Sequence, residues 1–583
     1  MRRTSAMYDK EPHIEIRGCD REAWRGYEAV AKELLTNGEG KGRFVLVIEC
    51  YPGVRVTEIV EGLKPFLNPV KVVMAEQAAK KASQIDAMIG RFLTDDRVFG
   101  YMAPFGVEDF YDPDLVQQLR QDIESVSKGT VIVIGTGAAF ITKGDLLVYA
   151  DMARWEIQQR YRSGEFGNWL ADNQAEDMLR KYKRGFFIEW RAADRFKRTV
   201  LPQANYYLDT NAKDDPKLLT KDALFHGFRQ TVSRPFRLVP YFDPGVWGGQ
   251  WLESKIGLEP REHPYAWGFD GVPEENSLYL IYGSIRVEIP SINLVFFEPK
   301  RLLGERVYAR FGAEFPIRFD FLDTIRGGNL SLQVHPVTDY IQKTFGMAYT
   351  QDESYYILDA APGAAVCLGL RENINPDAMM ADLERAQQGG FSFPAEQYVN
   401  RFAAKKHDHF LIPAGTVHCS ETNCMVLEIS ATPYIFTFKL WDWDRLGLDG
   451  RPRPIHLEHG RRNIQWNCTT EMVQRELVNA IVQVGEGDGW VEERTGLHEL
   501  QFIETRRHWF AAVTPHHTNG GVQMLNLVEG EEAIVESPTG AFEPFVVRYA
   551  ETFIVPAAAG EYTIRPSERC AGQTLGTIKA FVR

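Results

Sequence analysis

Two hydrophobic rhythms run along the chain, and one replaces the other near residue 230. Over roughly the first 210 residues, continuous apolar runs alternate with stretches of helical period. Arg43–Glu49 (RFVLVIE), Val70–Met74 and Val131–Ile134 are runs of the kind that buried parallel strands require. Gln77–Leu93 and Asp151–Arg162 read as helices between them. Phe186–Trp190 predicts a further strand, followed by a basic helix over Arg191–Arg198. After an entry segment at Pro235–Pro240, short apolar runs with period-two alternation and Gly/Pro turns take over: Leu278–Tyr282, Val287–Ile289 and Leu294–Phe297. That pattern predicts an all-β sandwich or jelly roll. One helical insertion interrupts it near Pro376–Gln388, and a polar, arginine-rich stretch, Arg451–Arg462, sets off a last β segment ending at Arg583.

The β part contains an echo. Phe410–His418 reads FLIPAGTVH and Phe553–Glu561 reads FIVPAAAGE, each a strand, a Pro-Ala turn and a following strand. Such a repeat predicts two related barrels. Glu561 stands at the offset of His418, so the second barrel is expected to lack the chemistry of the first. The expected architecture is multidomain: an N-terminal three-layer α/β domain over 1–230, a β jelly-roll over 231–460 with a helical insertion at about 371–408, and a second β barrel over 461–583.

Size agrees, because 583 residues exceed the roughly 250–300 at which one core stops growing. With 66 Lys+Arg against 79 Asp+Glu, the net charge of −13 argues against a nucleic-acid binder but leaves room for a local cationic pocket. No apolar run reaches the ~18 residues needed to span a bilayer, and no apolar stretch follows the N-terminal arginines, so neither a membrane anchor nor a secretory signal is expected. Seven widely spaced cysteines without a CxxC pair suggest reduced thiols and a cytoplasmic home.

The candidate chemistry lies in Leu330–Pro336, LSLQVHP. Gln333 and His335 are two apart on an apolar strand, so they share a face. Glu353 follows at the mouth of the strand Tyr355–Leu358, and His418 on the turn after FLIPAG. Two imidazoles, a carboxylate and an amide oxygen suit Zn²⁺ or another divalent ion. Taken singly, a histidine on a strand is more often a hydrogen-bonded core group.

From Pro240 onward the chain resembles the type I (cupin) phosphomannose isomerases. The motifs that carry the likeness are Gly245–Gly249 (GVWGG), Phe315–Thr324 (FPIRFDFLDT), LSLQVHP, Asp352–Asp359 (DESYYILD), FLIPAGTVH, Val426–Ile429 (VLEI), Trp441–Arg445 (WDWDR) and Asp449–His459 (DGRPRPIHLEH). The tail Phe553–Ile564 (FIVPAAAGEYTI) resembles the family's C-terminal barrel. The resemblance implies one metal ion per chain, usually zinc, held by Gln333, His335, Glu353 and His418. It also implies an intramolecular oxidoreductase that interconverts mannose 6-phosphate and fructose 6-phosphate through an enediolate. Ser331 stands at a substrate-contacting serine. Lys439 stands where the family has an arginine before the DWDR motif, and a lysine gives up its proton more readily, so a catalytic acid/base role is open to it. Asp320 and Gln351 replace family lysines near the sugar phosphate, and Arg318, two residues from Asp320 on the same face, is the candidate compensating cation.

The N-terminal segment CYPGVRVTEIVEGL, Cys50–Leu63, follows a buried strand where a phosphate-binding loop would need G-x-x-x-x-G-K-[ST]. The glycines, lysine and hydroxyl of that motif are missing, and Glu49 stands where anions would bind. The layout faintly resembles P-loop nucleoside kinases of the uridine kinase type, which implies a kinase-like fold without competent ATP chemistry. The basic, aromatic-rich stretch Arg180–Arg198 reads either as a phosphate-gripping lid or, by preference, as a helix with a core-facing aromatic stripe. The expected partner is a small phosphorylated sugar. The alternatives are a non-catalytic or altered-specificity sugar-binding homologue and, less favoured, a nucleoside or sugar kinase.

Overall fold

The structure is a computed structural model and describes residues 8–583. The chain forms two compact units, one built from 13–230 with 277–297, the other from 8–12, 231–276 and 298–583. The architecture is a multidomain mixture of α/β and β-rich parts.

The first unit centres on a seven-stranded sheet. Its strand order is Ala23–Arg25, Lys217–Thr220, Tyr206–Asp209, Leu146–Asp151, Arg43–Cys50, Gly129–Gly135, Lys71–Met74. Arg43–Cys50 runs parallel to both neighbours, and only the pairs involving Lys217–Thr220 are antiparallel. Val45, Val47, Val73, Val131 and Val133 interlock in one core cluster, as β-branched residues on a doubly covered sheet should. A small second sheet pairs His13–Ile16 with Ser277–Tyr282 in parallel, and Ser277–Tyr282 with Ile285–Pro290 in antiparallel.

Two elements differ from the sequence reading. Phe186–Trp190 is no strand: Gly185–Glu189 forms a π-helical turn that runs into the helix Trp190–Val200. Leu294–Phe297 belongs to the helix Ile292–Phe297. Short apolar runs carry no period of their own, and both segments are buried enough for either conformation. The basic stretch is neutralised from within. Arg184 pairs with Glu189 at 2.7 Å, Lys197 with Asp151 at 2.8 Å, and Arg154 with Asp194.

Glu49 has an unexpected occupation. Its carboxylate accepts from the backbone N–H of Gly137 (2.7 Å) and Ala139 (2.8 Å), while Glu76 accepts from that of Thr136 (3.0 Å). The turn whose amides could have faced a phosphate is filled by the chain's own acids.

The second unit contains four sheets. A six-stranded sheet orders His409–Ile412, Glu353–Ala360, Cys424–Ala431, Ile317–Asp323, Tyr265–Gly271 and Tyr241–Pro244. A five-stranded sheet orders Val399–Ala403, Ala365–Leu370, His418–Ser420, Leu332–Val334 and Phe438–Trp441. Toward the C-terminus a further six-stranded and a four-stranded sheet share a core. Phe510, Leu525, Leu527 and Phe553 of one pack with Val535, Val547 and Ile564 of the other. The inserted helix is Pro376–Gln387, with Asn375 capping it by accepting from the N–H of Asp377 (2.9 Å) and Ala378 (3.2 Å).

Candidate metal centre

The five-stranded sheet lines up three of the singled-out residues. Gln333 lies opposite His418 on one neighbouring strand and opposite Lys439 on the other. Residues in one registered row share a face, so all three side chains leave the sheet on the same side. His335 lies one residue past the end of strand Leu332–Val334, two positions from Gln333, and Pro336 follows it. Glu353 comes from the other sheet, as the first residue of Glu353–Ala360, between Ile412 and Ser430.

These side chains converge. His418 Nε2 lies 2.8 Å from Glu353 Oε1, and His335 Nε2 lies 3.2 Å from Glu353 Oε2. Ligand atoms of His335, Glu353 and His418 all lie within 4.8 Å of one another, and all three residues are buried. The Gln333 amide is 3.2 Å from His418 Nε2.

The hydrogen bonds around the cluster show what it lacks. His418 Nδ1 is 2.8 Å from the carbonyl of Thr416, and His335 Nδ1 is 3.3 Å from that of Phe436. A carbonyl only accepts, so each Nδ1 donates to it, and each ring turns its Nε2 toward the carboxylate. Three ligand-type atoms are thereby turned toward one buried point. His335 Nε2 and Glu353 Oε1 are buried without a hydrogen-bond partner. The donor set of two imidazoles and one carboxylate fits Zn²⁺ or a similar divalent ion. Burial pushes the Glu353 carboxyl pKa up, but the two imidazoles outweigh burial and hold it well below the usual range.

Around this centre lies a ring of charge. Asp320 and Glu428 are cross-strand partners, and Arg318 reaches both at 3.5 Å. Burial raises the Asp320 pKa to about 6 despite Arg318, and burial with Asp320 and Glu353 nearby raises that of Glu428 well above its usual value. Gln351 donates to both Glu353 (3.0 Å) and Glu428 (3.2 Å), bridging the metal-type carboxylate to the ring. Arg318 also lies over the Tyr434 ring at 4.6 Å. Glu428 was not singled out from the sequence. It sits inside the VLEI motif, a buried strand whose lone acid is the available signal.

Ser331 and Lys439 sit near a second charge group. Ser331 Oγ donates to Asp442 at 2.8 Å, and Asp442 also receives Arg445 (2.8 Å) and Arg453 (2.9 Å). Asp442, Arg445 and Arg453 thus form a charge cluster beside the strand Phe438–Trp441. Lys439 carries no hydrogen bond or ion pair from Nζ to any described residue. Burial, with Arg453 nearby, pulls its pKa down to about 8. Cys419 pairs in register with Cys367 on the neighbouring strand and takes no part in the cluster. His516 is buried and His517 exposed, facing apart as adjacent strand residues do.

Residues 26–233 match a domain of unknown function, DUF8485. The chain is also distantly homologous to mannose-6-phosphate isomerases. A Bacillus subtilis protein named "Probable mannose-6-phosphate isomerase GmuF" is 29% identical over 229 residues, 39% of this chain and 67% of the relative. Mannose-6-phosphate isomerase ManA of the same organism is 23% identical over 228 residues, again 39% and 67%. The chain therefore spans about two thirds of the length of these relatives. Among solved structures, a mannose 6-phosphate isomerase from Bacillus subtilis aligns with a TM-score of 0.46 and 18% identity, covering 60% of this chain and 99% of that one. Among the described residues no helix is long and apolar enough to cross a membrane.

Proposed function

We propose that the chain is a metal-dependent aldose–ketose isomerase acting on a small phosphorylated sugar, with mannose 6-phosphate and fructose 6-phosphate as the leading pair. In this reading 231–460 is the catalytic cupin jelly-roll, 461–583 a second, metal-free barrel, and 1–230 a kinase-like α/β domain without ATP chemistry. The observation that carries it is the buried convergence of Glu353 with the Nε2 atoms of His335 and His418, in a chain homologous to such isomerases. A divalent ion held by His335, Glu353, His418 and the Gln333 amide oxygen supplies Lewis-acid polarisation of sugar oxygens when bound. Lys439, in register with Gln333 and with its pKa brought down to about 8, is placed in the role of proton donor and acceptor between C1 and C2. Ser331, anchored by Asp442, is assigned to a sugar hydroxyl, and Arg318 to the substrate's anionic side. Seven unpaired thiols suit a cytoplasmic setting.

A second reading has its own observation. The Arg318 charge is already met by Asp320 and Glu428, and Gln351 is engaged by two carboxylates. That favours a sugar other than a hexose 6-phosphate, or binding without turnover. The kinase alternative loses ground because the loop Cys50–Leu63 lacks the glycines, lysine and hydroxyl that would cradle a phosphate.

The test is a coupled assay of mannose 6-phosphate isomerisation on the chelated and the Zn²⁺-reloaded protein. Activity that disappears with chelation and returns with metal is the expected result. Bound metal at one per chain with no turnover of any aldose phosphate would leave only the binding reading.

A further inference from the structure

The chain is acidic overall, yet one cavity of its second unit is lined only by cations among its charged residues. The cavity, of about 410 Å³, is bounded by the short helix Glu305–Phe311, the loop at 517–521 and the strands Ile503–Phe510 and Leu575–Val582. Arg306, Arg310, Arg506, Lys579 and Arg583 line it, with no Asp or Glu among the lining residues. None of these belongs to the metal cluster or its charged ring.

The local counter-charge does not balance them. Glu504 lies 2.6 Å from Arg506 and 3.7 Å from Arg583. Glu492 is shared between Arg506 (3.2 Å), Lys579 (3.7 Å) and the His508 ring (3.0 Å). Two carboxylates thus serve three cations and an imidazole. Arg306 and Arg310 form no ion pair with any described residue; Arg310 is held by stacking over Phe502 at 5.1 Å, which fixes its place without cancelling its charge. Arg506 and Lys579 are direct cross-strand partners, a like-charged pairing that sheets disfavour. Lys579 is only 6% exposed, so its ammonium has given up most of its water for one carboxylate at 3.7 Å. Its pKa falls to about 8, chiefly through burial. A fold tolerates such convergence when an anion completes it.

We propose that this cavity is a second ligand site, which binds the phosphate of a small phosphorylated metabolite. Arg306 and Arg310, four apart on one helix face, offer forked donors matched to phosphate oxygens, and the buried Lys579 supplies a point charge beneath them. A phosphate dianion brings the missing charge in one group. The volume lies within the usual range for small-molecule pockets, and the net charge of −13 disfavours a nucleic-acid strand. The inference stands on different residues from the isomerase reading and survives or fails without it.

The test titrates pyrophosphate and inorganic phosphate into the full-length protein by calorimetry at constant ionic strength. The parent chain is compared with the double variant Arg306→Ser/Arg310→Ser and with Lys579→Met. One saturable pyrophosphate site per chain is expected, weakened about tenfold or more in both variants. Inorganic phosphate is expected to bind the same site more weakly. The two arginines are exposed, so the double variant should keep the parent's melting temperature and its metal uptake, which separates a lost site from a lost fold. Undiminished pyrophosphate affinity in the folded double variant overturns the proposal. So does the absence of saturable binding in the parent, or tighter binding of a single-stranded oligonucleotide than of pyrophosphate at this site.

Discussion

At the scale of single residues, the centre is a problem in donors and acceptors. His335, Glu353 and His418, which the structure brings into one cluster, could be picked out because polar side chains are conspicuous on apolar strands. Glu428 and Arg453 escaped, because their roles exist only once strand register sets Glu428 opposite Asp320 and brings Arg453 onto Asp442. Lys439 tests the proposed division of labour. Lys439→Met should lower kcat by about 10²–10⁴-fold while metal content stays at one per chain, as read by steady-state kinetics beside metal analysis. Unchanged kcat would remove Lys439 from the chemistry. A second residue gives a pH prediction. His409 is buried, its Nε2 is 2.9 Å from Ser354 Oγ, and burial with Arg507 nearby drops its pKa to about 3. The folded value lies below the unfolded one of about 6.5, so the neutral ring contributes stability that is complete above pH ~6.5 and drains away as pH falls toward 3. His409→Gln should flatten that acid limb in urea midpoints measured between pH 7 and 4, at some cost in stability at neutral pH.

At the scale of elements, local rules worked where the sequence carried its own punctuation. The insertion helix begins at Pro376 behind Asn375, as a capping residue followed by proline predicts, and ends within one residue of the sequence reading. Asn375→Ala should cost about 0.5–2 kcal/mol of stability, seen as a lower denaturant midpoint with unchanged slope. Where punctuation was missing, the reading failed. Phe186–Trp190 has the composition of a strand, but its neighbours Arg184 and Arg191 continue a helix, and Glu189 satisfies Arg184 from within it. The FLIPAG echo did hold. Strand Thr552–Val555, a 3-10 turn and strand Glu561–Pro566 repeat the plan of His409–Ile412 and His418–Ser420, with Glu561 exposed where His418 is buried.

At the scale of the whole chain, the composition change near residue 230 was visible, but the return to the first unit was not. Residues 277–297 read as one more piece of the β part, yet they complete the first unit, pairing Ser277–Tyr282 with His13–Ile16. Local alternation cannot announce a partner more than 260 residues away. A fragment of 231–583 would therefore carry a hairpin whose Leu278, Leu280, Val287 and Ile289 are buried in the complete protein. Such a fragment should aggregate on size-exclusion chromatography, and replacing 277–297 by a short polar linker should restore a monodisperse peak. The same threading sets a timetable during synthesis. The strand at His13–Ile16 has to wait for residue 282, and Asp9, whose amide donates to Glu551 at 2.7 Å, waits for residue 551. The newborn chain thus grows through those long stretches with both segments unclaimed, and slowing or stalling the ribosome before codon 282 would prolong the interval in which they are open to chaperones or to misfolding.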